Sequence, residues 1–405
     1  MRVSVVYVLN MRGEPLMPTT PRKARKLLEK GEAHVVKRTP FVIQMNKATG
    51  ETKQEVILGV DTGYKTVGLS ATSRNKELYS DEVTLRNDIV KLLSDRRMFR
   101  KNKRNRKHWY RPARFLNRKN RLGKLPSSIQ HKLDSHIKLV QQASKFLPIS
   151  NVIIEVADFD IQKIKNPDIS GKKYQEGDQL GFENVRQYVL HRDNHQCQYC
   201  KKKKCKLQIH HIISHKTGGD RPDNLITLCK DCHIKHHEGL IELKIKKTKG
   251  FKAETFMSIL KNRLASELRK LGFNIGETYG YITKYNRKKL GLEKSHRNDA
   301  FVISEGSTQT RCQQYISKFM RKQNRKLFKG ARSHIKNTCP RYVLGFQRFD
   351  KIKYEGIECF IFGRRSSGFF DIKKLNEQSI SHNCNYKKIL TLESGSTLLR
   401  EISYL

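Results

Sequence analysis

The sequence predicts a multidomain α/β (α+β) protein in which a small unit rich in cysteine and histidine is inserted into a larger domain. Three observations support this prediction. The length of 405 residues corresponds to two or three domains of roughly 150 residues each. Apolar strand patterns alternate with helical patterns on both sides of the inserted unit. Two Cys-x-x-Cys pairs lie within that unit, where they are typical of a metal site.

The composition indicates a polyanion as partner. Lys and Arg number 83 and Asp and Glu number 38, so the net charge is +45. So large an excess of positive charge repels itself in a compact chain, and nucleic acid is the usual polyanion that neutralises it.

Apolar runs fall short of the roughly 18 residues that span a bilayer, which argues against an integral membrane protein. The N-terminus has no signal-peptide pattern, so we expect no export. The nine cysteines are an odd number and four of them form two Cys-x-x-Cys pairs, which indicates metal binding in a reducing compartment rather than a disulfide framework.

The first 50 or so residues predict a small module with a stiff turn at Pro15-Leu16-Met17-Pro18. Thr20 can cap a helix over residues 22–30, which Gly31 ends. Beyond this module, the predicted strands cover residues 56–60, 67–71, 151–156 and 279–283, and the predicted helices cover 86–111, 127–146, 256–271 and a segment from 295. Residues 163–181 and 244–253 are expected to be linkers. Aromatic strands at 342–346, 359–362 and 369–372 predict a small β-barrel in the tail.

The helix predicted at residues 86–111 is dense in basic side chains on every face. Asp95 is the only acid between Lys91 and Lys124, so almost no ion pairs within the helix can support it in water. A solvated charged surface is the simpler interpretation of such a run, but contact with phosphates on two sides explains the missing acids better. The predicted nucleic-acid contacts are Arg96, Arg97, Arg100, Lys101, Lys103, Arg104, Arg106, Lys107 and Arg111.

The Cys- and His-rich unit contains the strongest local motif. Cys197-x-x-Cys200 and Cys229-x-x-Cys232 have the pattern of a tetrahedral Cys₄ zinc site, with Cys205 outside it. Chance spacing of unmetallated thiols and a purely structural zinc finger are the alternatives. Between and after the pairs lie paired histidines, a Gly-Gly step, an asparagine and two histidines at i and i+4, namely His210-His211, Gly218-Gly219, Asn224, His233 and His237.

This arrangement resembles the HNH nuclease (ββα-metal) motif. The resemblance implies that His211 is the general base, that Asn224 orients it, and that three imidazoles surround a catalytic divalent ion: His210, His233 and His237. Many members carry Asp at the position of His210, and both residue types can ligate a metal. His236 is the rival to His237, but i+3 from His233 matches the motif less well.

Three acids form a second pattern. Asp61 and Glu155 end apolar strands and Asp299 begins a helix. Taken singly, Asp61 can belong to an Asp-x-Gly turn and Glu155 can be an edge-strand acid. Buried carboxylates are nevertheless costly unless they are paired or bind a metal. Three of them brought together can hold two Mg²⁺ ions that act on a phosphodiester.

The order of all these elements resembles IscB, a family of transposon-encoded, RNA-guided nucleases related to type II CRISPR effectors. The resemblance implies a split RuvC domain of the ribonuclease H fold with Asp61, Glu155 and Asp299 as metal ligands, and His296 as a fourth ligand or proton-transfer group. It implies these divisions: 1–52 PLMP domain, 53–85 RuvC segment I, 86–124 arginine-rich bridge helix, 125–180 RuvC segment II and linker, 181–245 HNH domain with the zinc site, 246–325 RuvC segment III, and 326–405 a C-terminal domain that interacts with RNA and the target-adjacent motif. The most basic turn of this last domain is Arg364-Arg365-Ser366-Ser367-Gly368.

By this resemblance we expect an RNA-guided DNA endonuclease in which HNH cuts the guide-paired strand and RuvC cuts the displaced strand. The expected cofactors are Mg²⁺ at both catalytic sites, structural Zn²⁺ and a structured guide (omega) RNA. The expected substrate is double-stranded DNA with a short adjacent motif. A cytoplasmic, nucleoid-associated monomer in a prokaryote is the simplest expectation. The alternatives are a protein-guided HNH homing or restriction endonuclease, and an RNA- or DNA-binding regulator that does not cleave.

Overall fold

The computed structural model describes residues 4–107, 125–156, 184–214, 220, 222–243, 252–323 and 340–403. The chain divides into two compact units. The larger unit contains residues 1–158 and 256–405, and the smaller one contains residues 159–255. The fold is mixed α/β with several sheets. Among the described helices, none combines the length and the apolar character needed to cross a bilayer.

The helices of the described residues are, in chain order, α1 Pro21–Glu29, α2 Ile89–Lys107, α3 Ser127–Ser144, α4 Val185–Arg192, α5 Lys230–His237, α6 Lys252–Lys270, α7 Gly280–Lys289 and α8 His296–Ile303. The strands are β1 Val6–Leu9, β2 Pro15–Thr19, β3 Ala33–Lys37, β4 Val42–Met45, β5 Ile57–Asp61, β6 Thr66–Thr72, β7 Glu77–Thr84, β8 Asn151–Val156, β9 Leu207–His211, β10 Leu225–Cys229, β11 Ile275–Tyr279, β12 Gln314–Phe319, β13 Lys351–Tyr354, β14 Ile357–Arg364, β15 Phe369–Lys373, β16 Ser379–Asn385, β17 Ile389–Glu393 and β18 Leu398–Ser403.

The N-terminal module is a four-stranded sheet in the order β2-β1-β4-β3, with α1 beside it. The predicted helix cap is confirmed, because the Thr20 side chain accepts a hydrogen bond from the Lys23 amide. Gly31 follows the helix at φ +68°, a left-handed conformation that suits glycine. The predicted turn at 15–18 is wrong, since these residues lie in β2. As an edge strand, β2 tolerates prolines that lack an N–H.

The larger unit is built on a seven-stranded sheet in the order β11-β8-β5-β6-β7-β12-β18. Strand β5 is central and lies parallel to β8 and antiparallel to β6. Leu58 and Val60 are fully buried in the main core, which also includes apolar residues of α3 and α6. Because side chains alternate along a strand, Gly59 and Asp61 point to the opposite face. Helix α8 packs against β5 and β6.

Two glycines allow α8 to lie directly on that opposite face. A methyl group at Gly59 would overlap the carbonyl oxygen of Ala300, and one at Gly68 would overlap the carbonyl oxygen of His296. The helix backbone therefore contacts the sheet backbone at both positions. This approach places the first turn of α8 beside the end of β5.

The tail contains a five-stranded antiparallel sheet in the order β16-β15-β14-β13-β17 around a small apolar core. The predicted barrel is not formed by the described strands, because β16 and β17 are the two unjoined edges of this sheet. Nor does the boundary predicted at residue 326 separate the tail from the rest. Strand β18 instead pairs antiparallel with β12 and completes the seven-stranded sheet.

A buried ion pair fastens β18 to its sheet. Arg400 donates to the Asp81 carboxylate at 2.9 Å, to the Tyr79 hydroxyl at 2.8 Å and to the Ser317 hydroxyl at 2.9 Å. These residues lie on β18, β7 and β12. A buried charge is tolerated only when it is paired and hydrogen-bonded, so this network specifies the position of a strand that is distant in sequence.

Two further predicted strands are corrected, and one predicted linker is partly corrected. The strand predicted at 279–283 is the end of β11 followed by α7, in which Thr283 and Arg287, one turn apart, are buried. Residues 342–346 form only an isolated bridge between Val343 and Phe346. The linker predicted at 244–253 ends early, since α6 begins at Lys252. The linker predicted at 163–181 lies outside the described residues.

In the smaller unit, β9 and β10 form an antiparallel hairpin that is followed directly by α5. Its core combines apolar residues with three of the pattern cysteines, Cys197, Cys229 and Cys232. So little apolar surface is buried here that a metal would be an important part of the stability of the unit.

The contact between α8 and the sheet predicts that Gly59→Ala destabilises the larger unit. The added methyl meets backbone rather than a flexible side chain, so we expect a cost of about 1–3 kcal/mol and a lower melting temperature. Gly50→Ala is the control, because a methyl there meets nothing within 4 Å. Equal melting temperatures for the two variants would contradict this packing.

Candidate functional site

Asp61, Glu155 and Asp299 lie at one end of the seven-stranded sheet, and we call them the acidic cluster. Asp61 is the last residue of β5, and Glu155 is the penultimate residue of its parallel neighbour β8. Since Val60 pairs with Ile154, the two acids follow at adjacent positions. The Thr62 hydroxyl donates to the Glu155 carbonyl at 2.7 Å and joins the two strands there. Asp299 reaches the cluster from the first turn of α8.

Each acid has its own partner. His296 Nδ1 donates to Asp61 Oδ2 at 2.6 Å, and Arg287 Nη1 lies 3.2 Å from Asp299 Oδ1. The Thr283 side chain lies near Glu155 and lowers its pKa, while the Thr283 hydroxyl donates to the Tyr279 carbonyl at 3.4 Å. The sequence singles out His296 but neither Thr283 nor Arg287 of α7, because it predicts a strand across residues 279–283. The i,i+4 spacing of Thr283 and Arg287 was the signal that could have found them.

The cluster carries excess negative charge. Burial, reinforced by the charge of Asp61, raises the pKa of Glu155 to about 7. Burial and then Asp61 also raise the pKa of Asp299. The hydrogen bond to Asp61 raises the pKa of His296. Carboxylate oxygens with raised pKa values fit a hard cation such as Mg²⁺, which would relieve their repulsion.

Within the part of the chain that the structure describes, two groups of at least three ligand residues have their donor atoms within 4.8 Å of one another, and the acidic cluster is not one of them. One comprises His210, His233 and His237, which we call the imidazole cluster. His210 comes from β9, and the other two come from successive turns of α5. The Nε2 atoms of His233 and His237 are 3.3 Å apart. His236 does not belong to this group, and its Nδ1 lies 3.1 Å from the Ile241 carbonyl oxygen.

The imidazole cluster fits a divalent metal. Burial, followed by the neighbouring imidazoles, lowers the pKa of His210 to about 4. Burial and then His237 lower the pKa of His233. Both rings are therefore held in the neutral form that binds metals.

His211 is next to His210 and therefore points away from it across the strand. Its Nε2 lies 2.9 Å from Asp220 Oδ1. Asn224 is buried, and its amide exchanges two hydrogen bonds of 2.8 Å with the backbone of Ile213. Asn224 thus holds the chain just beyond His211. Asp220 is not among the site residues that the sequence predicts, although its place directly after Gly218-Gly219 is a signal for it.

The second group comprises Cys197, Cys200, Cys229 and Cys232. Cys200 Sγ and Cys229 Sγ are 3.7 Å apart, and thiolates at the corners of a tetrahedral zinc site with bonds near 2.3 Å are separated by about 3.8 Å. Cys229 also caps α5, because its sulfur accepts from the Cys232 amide. The four thiols therefore fit zinc, while Cys205 lies outside the group.

The predicted basic helix begins at Ile89, and its described part ends at Lys107. No side chain described on α2 is buried, including Arg96, Arg97, Arg100 and Lys101. Lys103, Arg104, Arg106 and Lys107 lie on α2 too, whereas Arg111 lies outside the described residues. In the tail, the Arg364 guanidinium hydrogen-bonds the Arg341 and Phe346 carbonyl oxygens, which gives it a structural role.

Comparison with known proteins agrees with part of this assignment. Residues 197–239 match the family model described as HNH endonuclease, and residues 6–177 match the model described as RRXRR protein. Anaredoxin from Nostoc sp. (strain PCC 7120 / SAG 25.82 / UTEX 2576) is 40% identical over 58 residues, which are 14% of this chain and 74% of that protein. Over this segment, the chain belongs to the same family as Anaredoxin. The HNH match establishes that the chain carries an HNH endonuclease domain.

Similar solved structures include Streptococcus thermophilus Cas9 in complex with AGGA PAM, with a TM-score of 0.30 and 15% identity, covering 44% of this chain and 26% of that one. The complex with the AGAA PAM gives a TM-score of 0.31 and 13% identity, covering 44% and 25%. This chain therefore spans about a quarter of the length of those proteins.

The burial of Glu155 beside Asp61 predicts that Glu155→Gln stabilises the protein at pH 8 but not at pH 4, in EDTA. The pKa of Glu155 is about 7 in the fold against an ordinary 4.5. Its ionised form therefore destabilises the fold above pH 7, and this penalty vanishes below the ordinary value. Melting temperatures of the variant and the original chain measure the difference. A difference that does not change with pH would contradict the charge assignment.

The thiol geometry predicts one bound zinc per chain. Cys229→Ser should lose the zinc and the cooperative unfolding of the smaller unit, because one of four ligands is removed. Cys205→Ser is the matched control and should retain the metal. Elemental analysis of the purified proteins measures both. Zinc retained by Cys229→Ser, or lost by Cys205→Ser, would show that the ligand set is wrong.

Proposed function

Because this chain carries an HNH endonuclease domain, we propose that it is an RNA-guided DNA endonuclease of the IscB type that cuts the two DNA strands at two separate sites. The observation that supports this most is the presence of two different ligand clusters in two different units. The acidic cluster lies in the larger unit and the imidazole cluster in the smaller one. One nuclease site would need only one of them.

In the HNH domain, we propose that His211 is the general base. The Asp220 carboxylate accepts from Nε2–H, and a neutral imidazole protonated at Nε2 carries its lone pair on Nδ1. Nδ1 would take the proton of the attacking water. Asn224 fixes the backbone on which this ring is mounted. The imidazole cluster would hold the divalent ion, which stabilises charge on the phosphate when it is bound.

In the larger unit, we propose that the acidic cluster is a RuvC-type site. Its three carboxylates would hold Mg²⁺, which activates water and stabilises the leaving oxygen when it is bound. His296 is hydrogen-bonded to Asp61 and can hold a proton beside that carboxylate. Arg287 holds Asp299 in place from α7. Burial of Asp61 limits the water that competes for its oxygens.

The net charge of +45 supports RNA as the guide. A structured RNA would neutralise the exposed basic surface of α2 and would supply sequence recognition through base pairing. The protein would then read backbone shape and a short motif next to the target. We propose that it works as a monomer with one RNA, at the nucleoid in the cytoplasm of a prokaryote, with one structural zinc.

Two single substitutions test the separation of the sites. His211→Ala should leave only the cut in the displaced strand, and Asp61→Ala should leave only the cut in the guide-paired strand. We expect each lost cut to slow by roughly 10²-fold or more, since a catalytic group is removed. Duplex DNA with differently labelled strands measures both rates, and each variant is the control for the other. If either change abolished both cuts, the sites would not be independent.

A further inference from the structure

Three exposed tyrosines lie within seven residues beside the acidic cluster, and we call them the tyrosine strip. Tyr279, Tyr281 and Tyr285 are 42%, 72% and 67% exposed. Large aromatic side chains normally contribute to cores, and a group of them at the surface marks an interaction site. Neither ligand cluster uses these rings.

The strip begins directly at the acidic cluster. In the pairing of β11 with β8, Thr278 lies opposite Glu155 and Tyr279 opposite Val156. A methyl group at Gly280 would lie 3.2 Å from Glu155 Oε1. The backbone between the first two tyrosines therefore lies against the carboxylate of Glu155. A strand whose phosphate reached the cluster would pass Tyr279 first, and its more distant nucleotides could then reach Tyr281 and Tyr285 on the outer face of α7.

Helix α7 has two functional faces. Thr283 and Arg287, one turn apart, are buried and contact the acidic cluster. Tyr281 and Tyr285 are also one turn apart, and helical geometry places them about 180° away from that pair. The rings of Tyr279 and Tyr281 are stacked, with centroids 5.9 Å apart and an interplanar angle of 13°. Parallel, exposed rings of this kind suit a flat base better than they suit an irregular protein side chain.

The charge around the strip matches a nucleic acid. The sequence of α7 contains no acidic residue, and its last turn carries Arg287, Lys288 and Lys289. Lys284 and Lys288 are exposed beside the tyrosines. Proteins usually bind single-stranded nucleic acid by pairing its phosphates with basic side chains and stacking its bases on aromatic rings.

We propose that the tyrosine strip is a stacking platform for the bases of the single DNA strand that enters the acidic cluster. The occupant is single-stranded, because bases in a duplex are stacked on each other and cannot cover the rings. This inference rests on the proposed function, in which the displaced DNA strand is the one cut there. Tyr281 and Tyr285 are positioning residues for that cut.

The first test is a crosslink. The RNA-bound complex is given target DNA whose displaced strand carries bromouracil, is irradiated in the presence of excess unsubstituted duplex, and is digested for mass spectrometry. Adducts are expected on the peptide that contains Tyr281 and Tyr285. The same DNA offered as a free single strand should give the same adduct. Adducts only elsewhere would overturn the proposal, and adducts on this peptide from bromouracil in the RNA would assign the strip to RNA instead.

The second test separates stacking from folding. Tyr281→Ala/Tyr285→Ala should slow cleavage of the displaced strand by about tenfold or more, as expected when base stacking is lost. Cleavage of the guide-paired strand should keep its rate. Tyr281→Phe/Tyr285→Phe is the matched control and should cut both strands normally, because phenylalanine also stacks. Both tyrosines are exposed, so all variants should melt at the same temperature as the original chain.

The outcomes also distinguish this inference from the proposed function. If the alanine variant cut both strands at the original rates, the platform would be wrong while the function stood. If the phenylalanine variant were as slow as the alanine variant, the hydroxyls rather than stacking would be responsible, and the platform would again be wrong. If the original chain cut neither strand, the proposed function would fail, and the crosslink to a free single strand would decide on the platform alone.

Discussion

The contact between the backbone of α8 and the backbone of β5 and β6 is the constraint on which the larger unit depends. Gly59 and Gly68 lack the side chains that would hold the helix away from the sheet. Because strand residues alternate, Asp61 shares the face of Gly59 and therefore faces the helix. His296 and Asp299 reach the acidic cluster from the first turn of α8 for this reason. A single added methyl group would move a helix that carries two of the site residues.

The protein separates two kinds of metal-ligand chemistry. The larger unit brings together carboxylate oxygens. Burial, and then the charge of Asp61, raises the pKa of Glu155, and a bound hard cation would offset both effects. The smaller unit brings together three imidazoles, of which burial keeps His210 and His233 neutral, and thiols whose zinc would replace a hydrophobic core. In a chain of net charge +45, the acidic cluster is a local exception in which His296 pairs with Asp61 and Arg287 pairs with Asp299.

The elements that could be predicted from the sequence are those set by neighbouring residues. The Thr20 cap, the cysteine pairs and the two histidines one turn apart on α5 all act within a few positions. What could not be predicted depends on distant contacts. Strand β18 pairs with β12, and its Arg400 reaches Asp81 on β7. No local sequence pattern predicts either contact. The segment Tyr279-Gly280-Tyr281-Ile282-Thr283 has high strand propensity, yet burial of Thr283 and Arg287 against the acidic cluster makes most of it helical. The three acids stand out in the sequence because two end apolar strands and one begins a helix, whereas only the fold places Thr283 and Arg287 near them.

The central claim is that one chain with two nuclease sites takes its specificity from RNA. The measurement that tests it most directly is sequencing of the RNA that stays bound when the chain is expressed with its flanking DNA and washed at high salt to strip non-specific polyanions. The account predicts a single abundant RNA with a constant structured part and a variable end, and it predicts that changing this end redirects cleavage. Heterogeneous cellular RNA, or cleavage of double-stranded DNA that survives ribonuclease treatment, would contradict the account and indicate a nuclease guided by the protein itself.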